Sequence, residues 1–369
     1  MKTLKVLQMP VRNAKGGITQ YAIRNWEHID KSRFLFDWVT LDEELSFERD
    51  LIEQGCKVHH LSCRQEDDEK RFSGEMEAIF SNGYDAIHLH TSYWRGFLAE
   101  ELAIKMSVPR IIVHAHSTGI DITDTDERNM LVRSHNEWKA RFDESLATHF
   151  VACSTPAADF LFGPQIVRER ISILKNAIDT ERFAFEEKLR LNIRTAMGLS
   201  DRFVIMQPAR LVYQKNHAFS LEVFSKLSNI LPNAVLLLAG DGALRSSLEK
   251  DAIKLGISSS VKFLGFREDV SELLSAADLL ILPSLFEGLG IAAIEAQCSG
   301  VCCLLSEHVP EEAVVTENAI RLKLDIGLWC KTISGIAENG YIRKDRAGEI
   351  ASAGYSLKDT VKVLENIYS

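Results

Sequence analysis

The residues that could do chemistry gather in four places. The richest reads Ser284-Leu285-Phe286-Glu287-Gly288-Leu289-Gly290-Ile291-Ala292-Ala293-Ile294-Glu295-Ala296. An apolar run ends at Pro283, a loop follows with Glu287 and two glycines, and an apolar helix then carries Glu295. The spacing puts Glu287 before that helix and Glu295 about two turns into it. Gly288 and Gly290 let the backbone approach a ligand closely, and the free N–H groups at the helix start can take phosphate oxygens. A glutamate on an apolar helix face is costly unless it is paired or hydrogen-bonded. Two carboxylates flanking a phosphate-binding turn suit a hydroxyl-rich ligand, because ionised carboxylates accept several hydrogen bonds. A capped helix with one stray glutamate is the plain alternative, and it leaves the other three places unexplained.

The second place is Gln207-Pro208-Ala209-Arg210-Leu211-Val212-Tyr213-Gln214-Lys215-Asn216. Arg210 and Lys215 stand in a loop that follows an apolar run and precedes a helix. Two cations beside a helix N-terminus make a site for a diphosphate. Elsewhere such a pair would read as solvated surface charge. The third place is Ile111-Ile112-Val113-His114-Ala115-His116-Ser117, an apolar strand running into two alternate histidines. Alternation sends His114 and His116 to one face. A neutral imidazole at a strand end can hydrogen-bond a substrate hydroxyl or a developing charge. An earlier strand ends in the same way, at His88-Leu89-His90. Structural hydrogen bonding is the ordinary role of such histidines, and His116 is the one expected to meet a ligand. No carboxylate pair at ligand spacing accompanies them, so no metal is expected. The fourth place is Asn13-Ala14-Lys15-Gly16-Gly17-Ile18, between the first strand and the first helix. Its paired glycines allow close approach of a ligand, with an anion favoured at the helix start. This is not Gly-x-Gly-x-x-Gly, so a dinucleotide is not indicated, and a tight turn without ligand fits the residues equally.

These places need elements to hold them. Short apolar runs at 4–8, 34–40, 58–61, 86–90, 110–114 and 149–153 read as strands, with helices at 18–29, 45–54, 69–81, 94–106, 127–147 and 155–162 between them. The rhythm repeats with strands at 203–208, 234–239, 261–264, 279–282 and 301–305 and helices at 188–197, 217–230, 243–255, 268–276, 290–299 and 326–338. The segment 342–368 reads as two further helices. Strands alternating with helices imply parallel sheets covered on both faces. Eleven strands exceed one comfortable open sheet, so two doubly wound α/β domains are expected, meeting near Asn176-Ala177-Ile178-Asp179-Thr180. In such sheets ligands sit beyond the carboxyl ends of the strands, where all four places fall.

Composition narrows the classes. The chain has 369 residues, 46% hydrophobic and 26% charged, which is ordinary for a globular protein of two domains. Its 43 basic and 52 acidic side chains leave a net charge of −9, which argues against broad binding to nucleic acid. No run of about 18 apolar residues suggests a membrane span. The opening residues read as a first strand rather than a signal peptide. Seven cysteines form no Cys-x-x-Cys pair, and the odd count favours reduced thiols in the cytoplasm. Cys302 and Cys303, in an apolar run, are expected in the core.

Taken together, these motifs resemble the family 4 retaining glycosyltransferases, and the resemblance covers nearly the whole chain. It is carried by the Gly16-Gly17 loop, His116, the Asn176–Asp179 linker, Arg210 with Lys215, the Gly240-Asp241-Gly242 turn, and Glu287 with Glu295. It implies a GT-B architecture, two facing doubly wound Rossmann-like domains with a cleft between them. Residues 1–178 would bind the acceptor and 179–369 the nucleotide-sugar donor, with the last helix packing back on the first domain. Arg210 and Lys215 look like the cations that hold the donor diphosphate. Glu295 is similar to the family's ribose-binding glutamate, and Glu287 to the carboxylate on a donor-sugar hydroxyl. Backbone N–H groups near Gly288, Gly290 and Ile291 would cap the phosphate. His116 looks like the histidine that contacts the donor sugar, and Gly16 and Gly17 would lie between acceptor and phosphates. The linker reads Asn-Ala-Ile-Asp where the family often has Asn-Gly-Val/Ile-Asp, and Ala-Gln-Cys-Ser-Gly-Val-Cys-Cys follows Glu295 where Ala-x-Ala-x-Gly-x-Pro-Val is common.

The tandem His114-Ala115-His116-Ser117 resembles the bacterial exopolysaccharide and capsule branch. That branch implies a UDP-sugar donor, a sugar or lipid-linked sugar acceptor, no cofactor, and transient contact with the inner face of the plasma membrane. Trp94, Phe97 and Leu98, near Arg95 and Lys105, could form a membrane face, although a core role is the expected one. Two other readings stand beside this one. A nucleotide-sugar epimerase would share the fold and need no acceptor. A two-lobed sugar-binding protein would explain the carboxylates but not Arg210 and Lys215.

Overall fold

The computed structural model describes residues 3–13 and 16–369, so Ala14 and Lys15 of the first loop lie outside it. The chain divides into two compact units. The N-terminal unit comprises residues up to Ile120, Asp124–Ala177 and Leu357–Ser369; the C-terminal unit comprises Asp121–Thr123 and Ile178–Ser356.

The N-terminal unit is built on seven parallel strands in the order β3-β2-β1-β4-β5-β6-β7. They are β1 (Leu4–Val11), β2 (Phe34–Thr40), β3 (Val58–His60), β4 (Ala86–Thr91), β5 (Arg110–Ala115), β6 (His149–Ala152) and β7 (Ile171–Ile173). Its helices are α1 (Gly17–His28), α2 (Glu48–Glu53), α3 (Glu69–Phe80), α4 (Leu98–Lys105), α5 (Thr125–Lys139) and α6 (Thr155–Leu161). The C-terminal unit has six parallel strands in the order β10-β9-β8-β11-β12-β13. These are β8 (Phe203–Pro208), β9 (Ala234–Ala239), β10 (Val261–Gly265), β11 (Leu279–Leu282), β12 (Cys302–Ser306) and β13 (Ala319–Leu322). Its helices are α7 (Glu187–Ala196), α8 (His217–Leu227), α9 (Arg245–Lys254), α10 (Val270–Ala276), α11 (Ile291–Cys298), α12 (Ile326–Asn339) and α13 (Ala347–Ile350). The last helix, α14 (Leu357–Tyr368), returns to the N-terminal unit.

Both sheets are doubly wound, and each reverses strand order once, at β1/β4 and at β8/β11. The central strands are buried along their length: Ala-Val-Leu-Leu-Leu-Ala of β9 and Leu-Leu-Ile-Leu of β11 are apolar at every position because helices cover both faces. β7 and β13, which the apolar-run reading misses, are short and partly exposed strands at the sheet edges. Helix α5 ends at Lys139 rather than running to 147, and beyond it Asp143 accepts from the backbone N–H and hydroxyl of Ser145 in a turn. Of the two helices expected across 342–368, α13 is four residues long and the chain breaks at Gly354 (φ +85°) before α14 begins.

Trp94 and Phe97 precede α4 and lie in the core, which corrects a membrane face built on them. The Trp94 ring stacks on Phe142 at 4.5 Å, and its Nε1–H donates to the Leu161 carbonyl at 2.8 Å. Among the described residues, no helix is long and apolar enough to cross a membrane. All seven cysteines are free; Cys302 and Cys303 are buried, and desolvation raises both thiol pKa values, that of Cys302 to about 11. Ala177 in the linker is buried and its φ is not positive, so alanine meets no backbone strain there. Asp179 caps the following turn by accepting from the N–H groups of Glu181 and Arg182.

Candidate functional site

At the β8/β11 switch of the C-terminal unit, the loop after one strand is stitched to the loop after the other. Lys215 Nζ donates to Glu287 Oε1 at 2.6 Å, and Ser284 Oγ donates to the same oxygen at 2.7 Å. Gln214 Nε2 reaches Glu287 Oε2 at 3.3 Å and the Phe286 carbonyl at 2.9 Å. Leu285 N donates to the Gln214 carbonyl, and Asn216 Nδ2 to that of Pro283. Asn216 takes a left-handed conformation (φ +52°), which turns the chain from Lys215 into α8. Gln207, inside β8, donates to the Lys215 carbonyl at 2.8 Å and accepts from Ser220 Oγ at 2.7 Å. Glu287 is 4% exposed and the Lys215 side chain 17%. This is a largely desolvated ion pair whose carboxylate is further satisfied by hydrogen bonds, the condition under which burying charge is tolerated. Glu287 thus holds Lys215 in place, a coupling the two separate motifs did not disclose.

Arg210 lies in the same loop but has a different partner. Its Nη2 stands 3.3 Å from Asp121 Oδ2, while Asp121 Oδ1 accepts from Gln214 N at 3.0 Å. The Arg210 side chain is 42% exposed, so this contact is weak and open to competition by a stronger anion. Gly240-Asp241-Gly242 buttresses this loop. Ala209 N and Leu211 N donate to the carbonyls of Ala239 and Asp241. A Cβ on Gly240 would fall 2.0 Å from the Ala209 carbonyl oxygen, and one on Gly242 2.5 Å from that of Leu211. These glycines are required by backbone contact. Gly290, at φ +88°, turns the chain into α11, whose first N–H groups begin at Ile291. Gly288 lies in the loop between Glu287 and that turn. Glu295, on α11, is 5% exposed.

His116, Gly16 and Gly17 belong to the N-terminal unit. Gly16 precedes α1 with no side-chain cap, and a Cβ on Gly17 would meet nothing within 4 Å. Packing therefore gives no reason for glycine at Gly17. His88, His90, His114 and His116 share one face of β4 and β5, as alternation predicts, and Tyr21 of α1 covers them. All four are buried, and desolvation lowers their pKa values, that of His90 to about 3, so they are neutral. Ring nitrogens of His88, His90 and His114 come within 4.8 Å of one another. A cavity of about 350 Å³ opens beside them at the carboxyl ends of the strands, lined among others by Thr19, Thr40, His90, Trp94, Arg95 and Glu100. Glu100, in the first turn of α4, is 4% exposed; desolvation raises its pKa to about 8. Motif reading missed Glu100 and Asp121. Glu100 looks like a surface helix residue in sequence, and Asp121 stands in a loop with no pattern around it.

The comparisons with known proteins follow the same division. A model for glycosyl transferases group 1 matches residues 191–335, and one for glycosyltransferase family 4 matches residues 16–182. The chain is 31% identical over 367 residues to EpsF of Bacillus subtilis, named as a glycosyltransferase, covering 96% of this chain and 94% of that one. It is 27% identical over 235 residues to an Escherichia coli UDP-Gal:alpha-D-GlcNAc-diphosphoundecaprenol alpha-1,3-galactosyltransferase, covering 60% and 58%. Anabaena HepE, solved with UDP and glucose, superposes with a TM-score of 0.76 at 17% identity over 98% of both chains, a likeness of fold.

Proposed function

The chain belongs to the family 4 glycosyltransferases, and from that premise we propose that it moves a sugar from a UDP-sugar to a hydroxyl of a lipid-linked sugar, with retained anomeric configuration and without a metal. The observation that carries this reading is the Lys215–Glu287 pair at the β8/β11 switch, with Arg210 in the same loop and the N-terminus of α11 after the next strand. Lys215, Arg210 and the N–H groups around Gly288, Gly290 and Ile291 bind the donor diphosphate and offset the charge that grows on it as it leaves. Glu295 takes the ribose hydroxyls. Glu287 orients Lys215 and accepts from a donor-sugar hydroxyl. Gly16 and Gly17 border the phosphates, and His116 contacts the donor sugar. The departing phosphate takes the acceptor's proton, so no protein base is needed. The N-terminal unit binds the acceptor, at the cavity beside Glu100. A relative that acts on a diphosphoundecaprenol-linked sugar supports a lipid-linked acceptor, met at the cytoplasmic face of a membrane. The HepE complexes support UDP as the nucleotide.

The test is a thermal-shift panel of UDP, GDP, ADP and CMP with their sugars, in EDTA. Selective stabilisation by UDP and one UDP-sugar supports the donor reading and its independence of metal. No shift at millimolar nucleotide removes it. Product analysed by proton NMR must then show the donor's anomeric configuration; inversion overturns the mechanism.

A further inference from the structure

The four histidines are joined by more than proximity. Gln8 Nε2 donates to the Tyr368 hydroxyl at 3.2 Å, and with the amide in this orientation Oε1 accepts from His90 Nε2 at 2.9 Å. With its proton on Nε2, His90 has a bare Nδ1, and His116 Nε2 donates to it at 3.0 Å. On the other side, the Tyr368 hydroxyl donates to His88 Nδ1 at 2.5 Å, so His88 Nε2 carries a proton and donates to His114 Nδ1 at 3.0 Å. Every bond points the same way along six residues, and each donor except the terminal His114 Nε2–H meets an acceptor. The two ends of the chain, His116 Nδ1 and His114 Nε2, are buried with no hydrogen-bond partner. Reversing the Gln8 amide would invert every bond and move the His116 proton to Nδ1.

We infer that Gln8 and His90 are positioning residues for His116, holding it neutral, protonated at Nε2 and fixed in ring orientation through one directional hydrogen-bond chain that Tyr368 of the C-terminal helix completes. The His116 tautomer is set by an amide two hydrogen bonds away. Two orphaned ends are the cost of this order, and a metal at His88, His90 and His114 would have to break it, because the four nitrogens of His88 and His90 are already engaged. The consequence for catalysis rests on His116 contacting the donor sugar.

The experiment is NMR of the full-length protein labelled with 15N-histidine, with His116 assigned from His116→Gln. Bare and protonated imidazole nitrogens resonate far apart. Wild type should show His116 in the Nε2–H form alone; Nδ1–H or an average of the two tautomers overturns the inference, as does uptake of one equivalent of zinc with shifts at His88, His90 and His114. Gln8→Met should let His116 average and lower kcat about tenfold while the KM for donor stays within about twofold, as for supporting residues elsewhere. Tyr368→Phe removes the hydroxyl that links Gln8 to His88, so His88 and His114 should lose their fixed tautomers and the His116 signal should average as well, which keeps the chain testable if Gln8→Met does not fold. If His116→Gln turns over normally while the wild-type signature is present, the chain stands and the donor-contact reading of His116 falls.

Discussion

Lys215 and Glu287 show how a residue's role depends on what else must be satisfied. Lys215→Ala would leave the Glu287 carboxylate buried with Ser284 and Gln214 as partners but without its countercharge. Two costs follow: lower stability, and loss of the cation proposed to meet the leaving diphosphate. Turnover should fall about a hundredfold or more, on the scale of removing one preorganised charge stabiliser. Arg210→Ala should cost little stability, because the Arg210 side chain is itself 42% exposed and its contact with Asp121 is weak, and act on nucleotide affinity instead. Melting curves and UDP titrations of both variants separate these effects; equal loss of stability would reject the distinction. Reading by motif singled out Lys215, Glu287, Arg210 and Glu295 because strand, loop and helix signals frame them. It could not find Asp121, which works across 93 residues of sequence, or Tyr368, which meets His88 across 280.

At the scale of elements, strands buried on both faces were legible almost to the residue, because mainly apolar runs occupy them. β2, β8, β9 and β11 lie where the runs lie. Edge strands β7 and β13 were not, since an exposed edge carries no continuous apolar signal. The turns between elements separate two kinds of glycine. Gly240→Ala would drive a methyl into the Ala209 carbonyl and displace the Arg210 loop; we expect a loss of about 1–3 kcal/mol and weaker UDP binding. Gly17→Ala meets open space, so its melting temperature should match wild type. A fall in turnover without loss of stability would then support a ligand against that loop, and unchanged turnover would make it a plain turn. Sequence alone pointed to Gly16-Gly17 as the ligand loop and read Gly240-Asp241-Gly242 as a turn, without the backbone contact that demands glycine there.

The molecule as a whole carries two opposed pH liabilities in its N-terminal unit. Burial depresses the pKa of His88, His90, His114 and His116, around which stand Tyr21, Tyr368 and Gln8. Below about pH 6.5 the unfolded chain takes up protons that the folded one refuses, so stability is lost as pH falls towards 3, by about 1.4 kcal/mol per pH unit for each proton. Glu100 acts in the opposite sense. Its folded pKa is raised to about 8, so the native state keeps a proton that the unfolded state releases above the ordinary value of 4.5, and stability declines as pH rises between them. Glu100→Gln should raise the melting temperature at pH 8 and make no difference near pH 4.5; a pH-independent effect would reject a buried neutral acid. None of this is visible in a sequence, because burial is a property of the folded unit.

The return of α14 also has a consequence for biosynthesis. Leu357, Val361, Leu364 and Tyr368 belong to the same core as Val6, Phe36 and Trp38. During translation the first half of the protein is therefore incomplete until after the second has been made. The C-terminal unit, whose last residue is Ser356, can close on the ribosome while the N-terminal sheet still lacks a wall. The half that is begun first is finished last, and a nascent chain stalled anywhere between the two exposes that unfilled groove.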